Sequence, residues 1–451
     1  MHNLSLCRLL VSIAIATLIT AMTSPPLLQG KLNSATSTLP KAMTSDIPGS
    51  WAYDTMKRRI LADILPRIIE DNAEELTQPS HPANSEAFLL INDLKSSLEC
   101  GEGGILRGLA DKGPDLAAWD AILRDVPEER RNWLQAPWVV SEFYFYRRVA
   151  ECFRFFETGY DMFKKQKAAG LVEALGSIDE IAARLPALLA ADRTEAVTVA
   201  VLTSLWGNKM DLSLWPAASA GQTISFGAAL EASRPFVLDD HSPAVVARLT
   251  AADAGSGQGS GQRVDIVVDN AGYELVSDLI LGHSLLATDS CTQVVFHTKG
   301  HPTFVSDATT RDCLETIGFL RDSSREHTAA LATALAAHVD AGRFVFSEDL
   351  FWCQPTAFWD SPPHIQERFR GSKMVFVKGD ANYRRLLGER EWPLETSARD
   401  VLSYWPVPVC ALRTFKVTLT PNPEPRTPKP YALTPNPYAN PTPNPLPRCE
   451  H

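Results

Sequence analysis

The sequence predicts an α/β fold in which a mainly parallel sheet follows a helical N-terminal region. Apolar residues recur at helical spacing through most of residues 46–190. Across residues 191–419, short β-branched runs alternate with helical segments. This alternation is typical of parallel strands joined by crossover helices. We therefore expect a helical region followed by an α/β domain.

Residues 1–45, which precede the predicted helical region, form an N-terminal extension. They contain no Asp or Glu, and residues 9–22 are an apolar run, LLVSIAIATLITAM. The run is short for a membrane span but suits a signal peptide, and the acid-free stretch after it also suits an organellar transit peptide. A non-functional extension of the gene is a third alternative, and the sequence leaves all three open.

Residues 420–451, which follow the predicted α/β domain, form a proline-rich tail in which PNP occurs three times. So much proline prevents a packed core, and we expect a disordered or polyproline-like segment. The tail is either a tolerated extension or a ligand for a binding module with an aromatic groove.

Composition limits the possible functions. The chain has 451 residues, 45% of them hydrophobic, which is enough for a large core or two domains. The net charge of −10 argues against nucleic acid as a partner, and we expect no membrane-spanning core. A small phosphorylated metabolite would need a metal or a local cluster of Lys and Arg to offset the negative surroundings.

Cysteine and histidine spacing argues against zinc. The eight cysteines include no C-x-x-C pair, and the ten histidines include no H-E-x-x-H motif. We expect most of the cysteines to be buried thiols in a reducing compartment, and we do not expect zinc hydrolase chemistry.

The composition changes at Ile47, and the first predicted helix has Asp54 or Thr55 as its cap. A later helical stretch, WLQAPWVVSEFYFYRRVAECFRFFE, is rich in aromatic residues. Helical spacing there brings four polar side chains near one another: Glu142, Tyr146, Arg147 and Arg148. This group is interpreted either as an internal salt bridge or as a direct substrate contact.

Two stretches lie between this region and the first clear strand. The segment LTSLWGNKMD, 202–211, indicates an element that ends in a polar turn containing Asn208 and Asp211. Residues 254–262, AGSGQGSGQ, indicate a flexible surface connection, because they lack the Lys and the strand-loop-helix context of a phosphate-binding loop.

The central stretch of the predicted sheet is RVDIVVDNAGYELVSD, 263–278. A β-branched run ends on Asp269 and Asn270, and the chain then turns through Gly272 into a helix that starts near Glu274. Ligands bind at the carboxyl ends of strands in open α/β sheets, and two adjacent oxygen donors suit Mg or Mn. The alternative is that Asp269 caps the helix and Asn270 makes a turn.

A second strand is predicted at residues 293–297, QVVFH, followed by Lys299, Pro302 and Asp307. The helical segment between the two strands has the length that a βαβ unit requires, so the strands should be parallel with their polar ends on one edge. We therefore expect Asp307 to lie within reach of Asp269, although a lone acid there also suits a turn.

Later strands are expected in FVFSEDLFWCQP, at KMVFV (373–377) and in VPVCALRTFKVTL (407–419). The second of these leads directly into KGDANYRRLLGE, and the third contains RTFK, 413–416.

Seven motifs occur in a characteristic order: GSWAYDT, EFYFYRR, LWGNKMDLS, VDNAGYELVSDL, FVSD, KGDANYRRL and RTFK. In this order and spacing, residues 47–419 resemble the DUF89 family, and specifically its RTxK-motif subfamily of damage-control phosphatases. The resemblance implies a three-layer α/β/α sandwich with a helical N-terminal region. It also implies a cytoplasmic protein, which the N-terminal extension puts in doubt.

The resemblance further implies a metal-dependent phosphatase that acts on small phosphate monoesters such as fructose 1-phosphate or fructose 6-phosphate. The cofactor would be Mn, Co, Ni or Mg. By residue matching, the metal ligands, which are also catalytic, are Asp269, Asn270 and Asp307. Matching places substrate binding at Gly379, Asp380, Ala381, Asn382, Tyr383 and Arg384, and at Lys416, which is also catalytic.

A sequence-based mechanism follows from this set. Lys416, with Lys378 or Arg384, would hold phosphate oxygens while the metal neutralises charge. Glu274 would either orient an attacking water or cap its helix. For Arg413, an ion pair that positions Lys416 is favoured over direct substrate contact.

Two rival functions are retained. One family member is also called an acidic residue methyltransferase, which suggests an S-adenosylmethionine-dependent protein-glutamate O-methyltransferase. The turn DNAGYE, however, has one glycine where nucleoside sites of such folds use a glycine-rich turn. The other rival is a scaffold that binds partners through the proline tail, with a vestigial catalytic domain.

Overall fold

This computed structural model describes residues 39–78, 84–190, 192–207, 237, 239–251, 263–393 and 395–415, together with the backbone of 13–16. The predicted polar turn at Asn208 and Asp211, the glycine-rich connection, Lys416 and the proline tail lie outside the described residues.

Contacts divide the described residues into two compact units. The helical unit consists of the described residues of 42–162. The sheet unit consists of those from 163 to 415, together with 13–16 and 39–41. The predicted boundary at residue 190 coincides with the end of a helix, Lys164–Ala190, that belongs to the sheet unit.

The helical unit contains seven α-helices and one π-helical segment among its described residues. They are α1 (Trp51–Asp54), the π-helix Thr55–Ile64, α2 (Leu65–Asp71), α3 (Ala73–Thr77), α4 (Asn84–Cys100), α5 (Leu116–Arg124), α6 (Trp138–Cys152) and α7 (Phe155–Thr158). Two 3-10 turns occupy Gly101–Gly103 and Glu128–Arg130.

The first helix begins earlier than the sequence predicts. Ser50 is the N-cap of α1, because its side chain accepts a hydrogen bond from the backbone N–H of Tyr53. Asp54 and Thr55, the predicted caps, therefore lie inside a continuous helical segment.

Helix α6 is buried along its whole length and contains the predicted polar group. Arg147 pairs with Asp111 and Asp115 at 2.8 Å, and Arg148 Nε lies 2.6 Å from Glu151 Oε2. For these two arginines the structure thus shows internal salt bridges, the first of the two interpretations. Glu142 and Tyr146 are buried on the same helix.

The sheet has the order β1-β6-β5-β2-β3-β4. Its strands are β1 (Ile13–Ala16), β2 (Arg263–Val267), β3 (Gln293–Lys299), β4 (Phe344–Asp349), β5 (Ser372–Lys378) and β6 (Val409–Phe415). Strands β2 to β6 are mutually parallel, and β1 pairs with β6 in the antiparallel direction. The prediction of an α/β fold with a mainly parallel sheet is confirmed.

Among the described residues of the sheet unit, three α-helices precede β2 and six lie between successive strands from β2 to β6. They are α8 (Lys164–Ala190), α9 (Arg193–Trp206), α10 (Ser242–Thr250), α11 (Tyr273–Ala287), α12 (Thr310–Arg321), α13 (Glu326–Asp340), α14 (Pro363–Arg368), α15 (Asp380–Leu386) and α16 (Ala398–Val401). Three 3-10 turns occupy Leu350–Cys353, Phe358–Asp360 and Leu402–Tyr404.

Both faces of the sheet are covered, which makes three layers. Ile266 of β2 and Phe376 of β5 belong to a hydrophobic core with residues of α8, α9, α11 and α13. Their neighbours Val267 and Val377 belong to a second core, rich in aromatic rings such as Trp352. Alternate strand residues point to opposite faces, so the cores lie on opposite sides of the sheet, as the resemblance implies.

Among the described residues, no helix is both long enough and apolar enough to cross a bilayer. Five described cysteines are buried free thiols: Cys152, Cys291, Cys313, Cys353 and Cys410.

Candidate active site

The site forms where three neighbouring strands end. Because β5, β2 and β3 are adjacent and parallel, the segments that follow them meet at one edge of the sheet. Asp269 and Asn270 follow β2, Asp307 lies in the loop after β3, and Gly379 follows β5. This is the edge at which open α/β sheets bind ligands.

The loop after β2 pairs with the loop after β3. Asn270 and Asp307 form an antiparallel bridge. On either side of it, Ala308 N–H donates to Asp269 O at 2.7 Å and Ala271 N–H donates to Ser306 O at 2.6 Å. The structure therefore brings Asp269, Asn270 and Asp307 together, as the βαβ spacing predicts.

Asn270 connects the polar side chains of this loop. Its Nδ2 donates to Asp269 Oδ2 and to Glu274 Oε2, both at 2.7 Å, and its Oδ1 accepts from Ser306 Oγ at 2.5 Å. Glu274 lies in the first turn of α11 and is buried. Its carboxylate thus faces the site, while no side-chain cap is present at Gly272, the N-cap of α11.

The electrostatics of the cluster favour a cation. Burial, and repulsion from Asp307 and Glu274, raise the pKa of Asp269 well above its ordinary value. Burial also raises the pKa of Asp307, although the ammonium of Lys299 opposes this shift. Buried carboxylates close together disfavour one another's charge, and a positive ion among them would relieve that repulsion.

The GDANY segment, 379–383, lies against this cluster. A Cβ at Gly379 would come 1.8 Å from Asp269 Oδ2, so only glycine fits beside that carboxylate. Asn382 secures the segment, because its Nδ2 donates to Val268 O at 3.1 Å and to Lys378 O at 2.9 Å. Ala381 is buried beside it. Sequence reasoning gave no spatial relation between Gly379 and Asp269.

Lys299 is a site residue to which the sequence assigned no role. It is fully buried, and its Nζ lies 3.1 Å from Asp307 Oδ2 and 3.3 Å from Asn382 Oδ1. Together, Lys299 and Asn382 connect the ends of β3, β2 and β5. The available signal was its position just after the predicted strand 293–297, since a lysine there lies at the carboxyl edge of the sheet.

Lys378 has different surroundings from those that the sequence-based mechanism requires. Its buried ammonium contacts Ser204, Asp278 and Glu274. As a phosphate ligand it would have to give up these partners, so the structure does not favour that role. Sequence reasoning missed Ser204 and Asp278, although Asp278 lies four residues after Glu274 and therefore on the same helical face.

The remaining predicted substrate residues lie at the start of α15. Asp380 pairs with Arg413, with Nη2 and Oδ1 2.5 Å apart, and the Arg413 guanidinium lies 4.7 Å from the ring centroid of Tyr383. Arg384 forms a two-point ion pair with Glu389. Arg413 therefore anchors Asp380. Its predicted effect on Lys416 stays a prediction, because Lys416 lies outside the described residues.

The oxygen donors of this cluster are of the type that a hard divalent cation binds. Asp269 and Asp307 supply carboxylate oxygens, and the carbonyl oxygen of Asn270 keeps a lone pair beyond the one that Ser306 uses. The missing Cβ of Gly379 leaves space beside Asp269. Across the described residues, no group of three or more His, Cys, Asp or Glu side chains is arranged to hold a metal, so the candidate set depends on the Asn270 amide.

Comparison with known proteins gives one consistent result. The sequence model of the damage-control phosphatase ARMT1-like domain matches residues 53–420. Proteins named damage-control phosphatase ARMT1 are 31% identical in Rattus norvegicus, 29% in Mus musculus and 28% in Homo sapiens. These alignments cover 84% of this chain and 91%, 91% and 92% of the respective relatives.

A solved structure of a DUF89 family protein from Pyrococcus horikoshii is also similar to this chain. It is 14% identical, with a TM-score of 0.38, and the match covers 78% of this chain and 97% of that chain.

Proposed function

The chain belongs to the family of ARMT1-like damage-control phosphatases, and from this membership we propose that it is a metal-dependent phosphatase of small phosphate monoesters. Sugar phosphates such as fructose 1-phosphate and fructose 6-phosphate are the proposed substrates. The observation that carries the proposal is the meeting of Asp269, Asn270 and Asp307 at the carboxyl edge of the sheet, directly against the GDANY segment.

The proposed metal ligands are Asp269, Asn270 and Asp307. A bound Mn, Co, Ni or Mg ion would neutralise negative charge on the phosphoryl group. The protein then has two tasks, to hold the ester in place and to exclude bulk water, because phosphoryl transfer depends mainly on positioning and electrostatics.

Substrate positioning is assigned to residues 379–384 and to Lys416. Arg413 holds this segment, because it pairs with the partly exposed Asp380 and lies over the ring of Tyr383. Gly379 lets the segment approach Asp269 closely. Since Lys378 and Arg384 both pair with protein carboxylates, Lys416 is the first choice for the phosphate oxygens.

Glu274 is proposed to orient a nucleophilic water or to hold Asn270 in place. Its Oε2 accepts from Asn270, and its Oε1 lies 3.5 Å from Lys378 Nζ. Both contacts keep the carboxylate directed at the site, which a helix cap alone would not require.

The deciding experiment is a panel of sugar and nucleotide phosphates, each assayed for phosphate release with Mn, Co, Ni and Mg, before and after chelation with EDTA. We expect release that EDTA abolishes and that one of the four ions restores. No release from any ester would contradict the function, and release that survives EDTA would contradict the metal dependence. Calorimetry with S-adenosylmethionine, run beside the panel, tests the methyltransferase alternative.

A further inference from the structure

The ammonium of Lys378 is enclosed by polar groups of the protein. We call the enclosure that Ser204 and Asp278 form around it the seat. Lys378 is the last residue of β5, and its side chain is 1% exposed. Its Nζ donates to the backbone oxygen of Ser204, lies 2.8 Å from Ser204 Oγ and lies 2.8 Å from Asp278 Oδ1. Three oxygen atoms therefore hold the charge away from solvent.

The seat is built by two helices that pack closely. Ser204 lies in the last turn of α9, where backbone carbonyls carry partial negative charge that attracts a cation. Just after it, a Cβ at Gly207 would come 2.2 Å from Ser277 Oγ and 3.1 Å from Glu274 Cα. The end of α9 thus presses on the first turn of α11, and the position of Lys378 is tied to that turn.

This seat reaches the candidate site through a single side chain. Glu274 Oε1 lies 3.5 Å from Lys378 Nζ, and Glu274 Oε2 accepts a hydrogen bond from Asn270 Nδ2 at 2.7 Å. Asn270 in turn donates to Asp269. An unbroken series of polar contacts therefore runs from Ser204 and Asp278 to the proposed metal ligands.

We propose that Lys378, held by Ser204 and Asp278, is a positioning residue that fixes Glu274 and, through it, the amide of Asn270. The inference rests on the proposed function and adds to it a role for residues outside the predicted site. It also gives the two lysines different roles: Lys416 is proposed to bind the substrate phosphate, whereas Lys378 holds protein side chains in place. The ammonium cannot do both, because its seat is filled by protein oxygens.

The test uses the full-length chain and the variants Lys378→Met and Ser204→Ala. Loss of a contact that orients a metal ligand typically lowers metal affinity or activity by about 10- to 100-fold. We expect Lys378→Met to lower kcat by that factor with little change in KM, and to weaken Mn²⁺ binding measured by calorimetry. Ser204→Ala keeps every charge, so it should fold if Lys378→Met does not, and should show a smaller loss of the same kind.

Lys373→Met is the matched control. Lys373 is a buried lysine of the same strand, but its Nζ donates to the backbone oxygens of Ser290 and Ala251 at the opposite end. The control should lose stability while keeping kcat and Mn²⁺ affinity. An equal loss in Lys373→Met and Lys378→Met would overturn the proposal, because burial of any lysine in β5 would then explain it.

A double-mutant cycle with Glu274→Gln tests the route of the effect. If Lys378 acts through Glu274, the double variant loses no more activity than Glu274→Gln alone. Fully additive losses, or a raised KM with unchanged kcat in Lys378→Met, would mean direct contact with the substrate and would overturn the proposal. Unchanged kcat and Mn²⁺ affinity in Ser204→Ala would also count against it.

Failure of the proposed function gives a different pattern. A wild-type chain that binds Mn²⁺ but releases no phosphate contradicts the phosphatase alone, and weaker Mn²⁺ binding in Lys378→Met than in Lys373→Met would still support the positioning role. A wild-type chain that binds no Mn²⁺ contradicts both.

Discussion

The backbone of Gly379 lies directly against the carboxylate of Asp269. A Cβ at Gly379 would meet Asp269 Oδ2 at 1.8 Å, and the φ of +79° at Gly379 is one that other residues rarely adopt. The first residue of GDANY and the first proposed metal ligand therefore share one small space. Their contact joins the two halves of the candidate site, which lie more than a hundred residues apart in the sequence.

Gly379→Ala should damage the site more than the fold. The added methyl group must displace the Asp269 carboxylate or the segment that begins α15. We therefore expect phosphate release to fall by about 10- to 100-fold, comparable with the loss of a ligand-orienting contact. Steady-state kinetics and Mn²⁺ calorimetry measure this effect.

Gly371→Ala supplies the control for backbone strain. Gly371 has a similar φ of +76°, but a Cβ there meets nothing within 4 Å. This variant should lose about 1 kcal/mol of stability from strain and keep its activity. Equal activity in the two variants would show that the space beside Asp269 is not needed.

Asp269→Asn should stabilise the metal-free protein while abolishing phosphate release. In the folded chain the pKa of Asp269 is raised by burial and by repulsion from Asp307 and Glu274, so above about pH 4 its ionised form lowers stability. Asparagine removes that charge, and each kcal/mol gained raises Tm by roughly 1–2 °C in a chain of this size. Thermal unfolding in EDTA at pH 7.5 measures the gain.

Asp265→Asn is the matched control for this gain. Asp265 is buried on the same β2 strand, but it contacts His297 Nε2 at 2.8 Å and Arg263 Nε at 2.9 Å. Removing its charge weakens the hydrogen bonds that this buried carboxylate accepts, which typically costs about 1.5–3 kcal/mol. Asp269→Asn and Asp265→Asn should therefore shift Tm in opposite directions. Destabilisation by both would mean that the Asp269 carboxylate is not repelled in the folded protein.

The βαβ unit is the part of the candidate site whose geometry follows from the sequence. The spacing from residue 263 to residue 297 predicts two neighbouring parallel strands, and this local relation is enough to bring Asp307 to Asn270. The contact between Gly379 and Asp269 depends on β5 lying next to β2. Strand order is set by packing of the whole sheet, and no local pattern specifies it.

The contacts of Lys378 also depend on packing between elements that are distant in the sequence. Its partner Ser204 lies 174 residues earlier, at the end of α9. The sequence identifies a lysine at a strand end, which also suits a phosphate ligand, and only the packing of α9 on α11 shows that its ammonium is already surrounded. The start of α1 is a smaller case, since Ser50, Asp54 and Thr55 are all acceptable caps and local hydrogen bonding selects Ser50.

Arg413→Lys should weaken substrate binding more than turnover. Arg413 pairs with Asp380, and its guanidinium lies 4.7 Å from the ring centroid of Tyr383. A planar guanidinium can make both contacts together, whereas a lysine ammonium cannot. The looser GDANY segment should raise KM for a phosphorylated substrate by about 10-fold, which corresponds to roughly 1.4 kcal/mol, with a smaller change in kcat.

Arg368→Lys is the comparison for Arg413→Lys. Arg368, the last residue of α14, also pairs with an aspartate, Asp349, with Nη2 and Oδ2 2.8 Å apart. Asp349 ends the edge strand β4, which β2 and β3 separate from β5, the strand before GDANY. Its KM should match that of the wild-type chain. A raised KM in Arg368→Lys, or an unchanged one in Arg413→Lys, would contradict the anchoring role of Arg413.

A histidine pair in the core should make the fold sensitive to mild acid. His283 Nδ1 and His338 Nε2 lie 2.8 Å apart between α11 and α13, close to Arg343. Burial is the main cause that lowers the pKa of each to about 4, and the neighbouring positive charge of Arg343 adds to the shift. Both rings are therefore neutral in the folded protein at neutral pH.

The sign of the effect follows from proton binding. Between the ordinary histidine pKa of about 6.5 and the folded value of about 4, the unfolded chain binds more protons than the folded one, so stability falls as the pH is lowered through this window. Urea unfolding of the metal-free chain at pH 7, 6, 5 and 4.5 should show a decreasing midpoint. His283→Gln combined with His338→Gln should flatten this decrease, whereas His327→Gln, at an exposed position, should not. An equally steep decrease in the double variant would assign the acid sensitivity to other groups, because glutamine takes up no proton in this range.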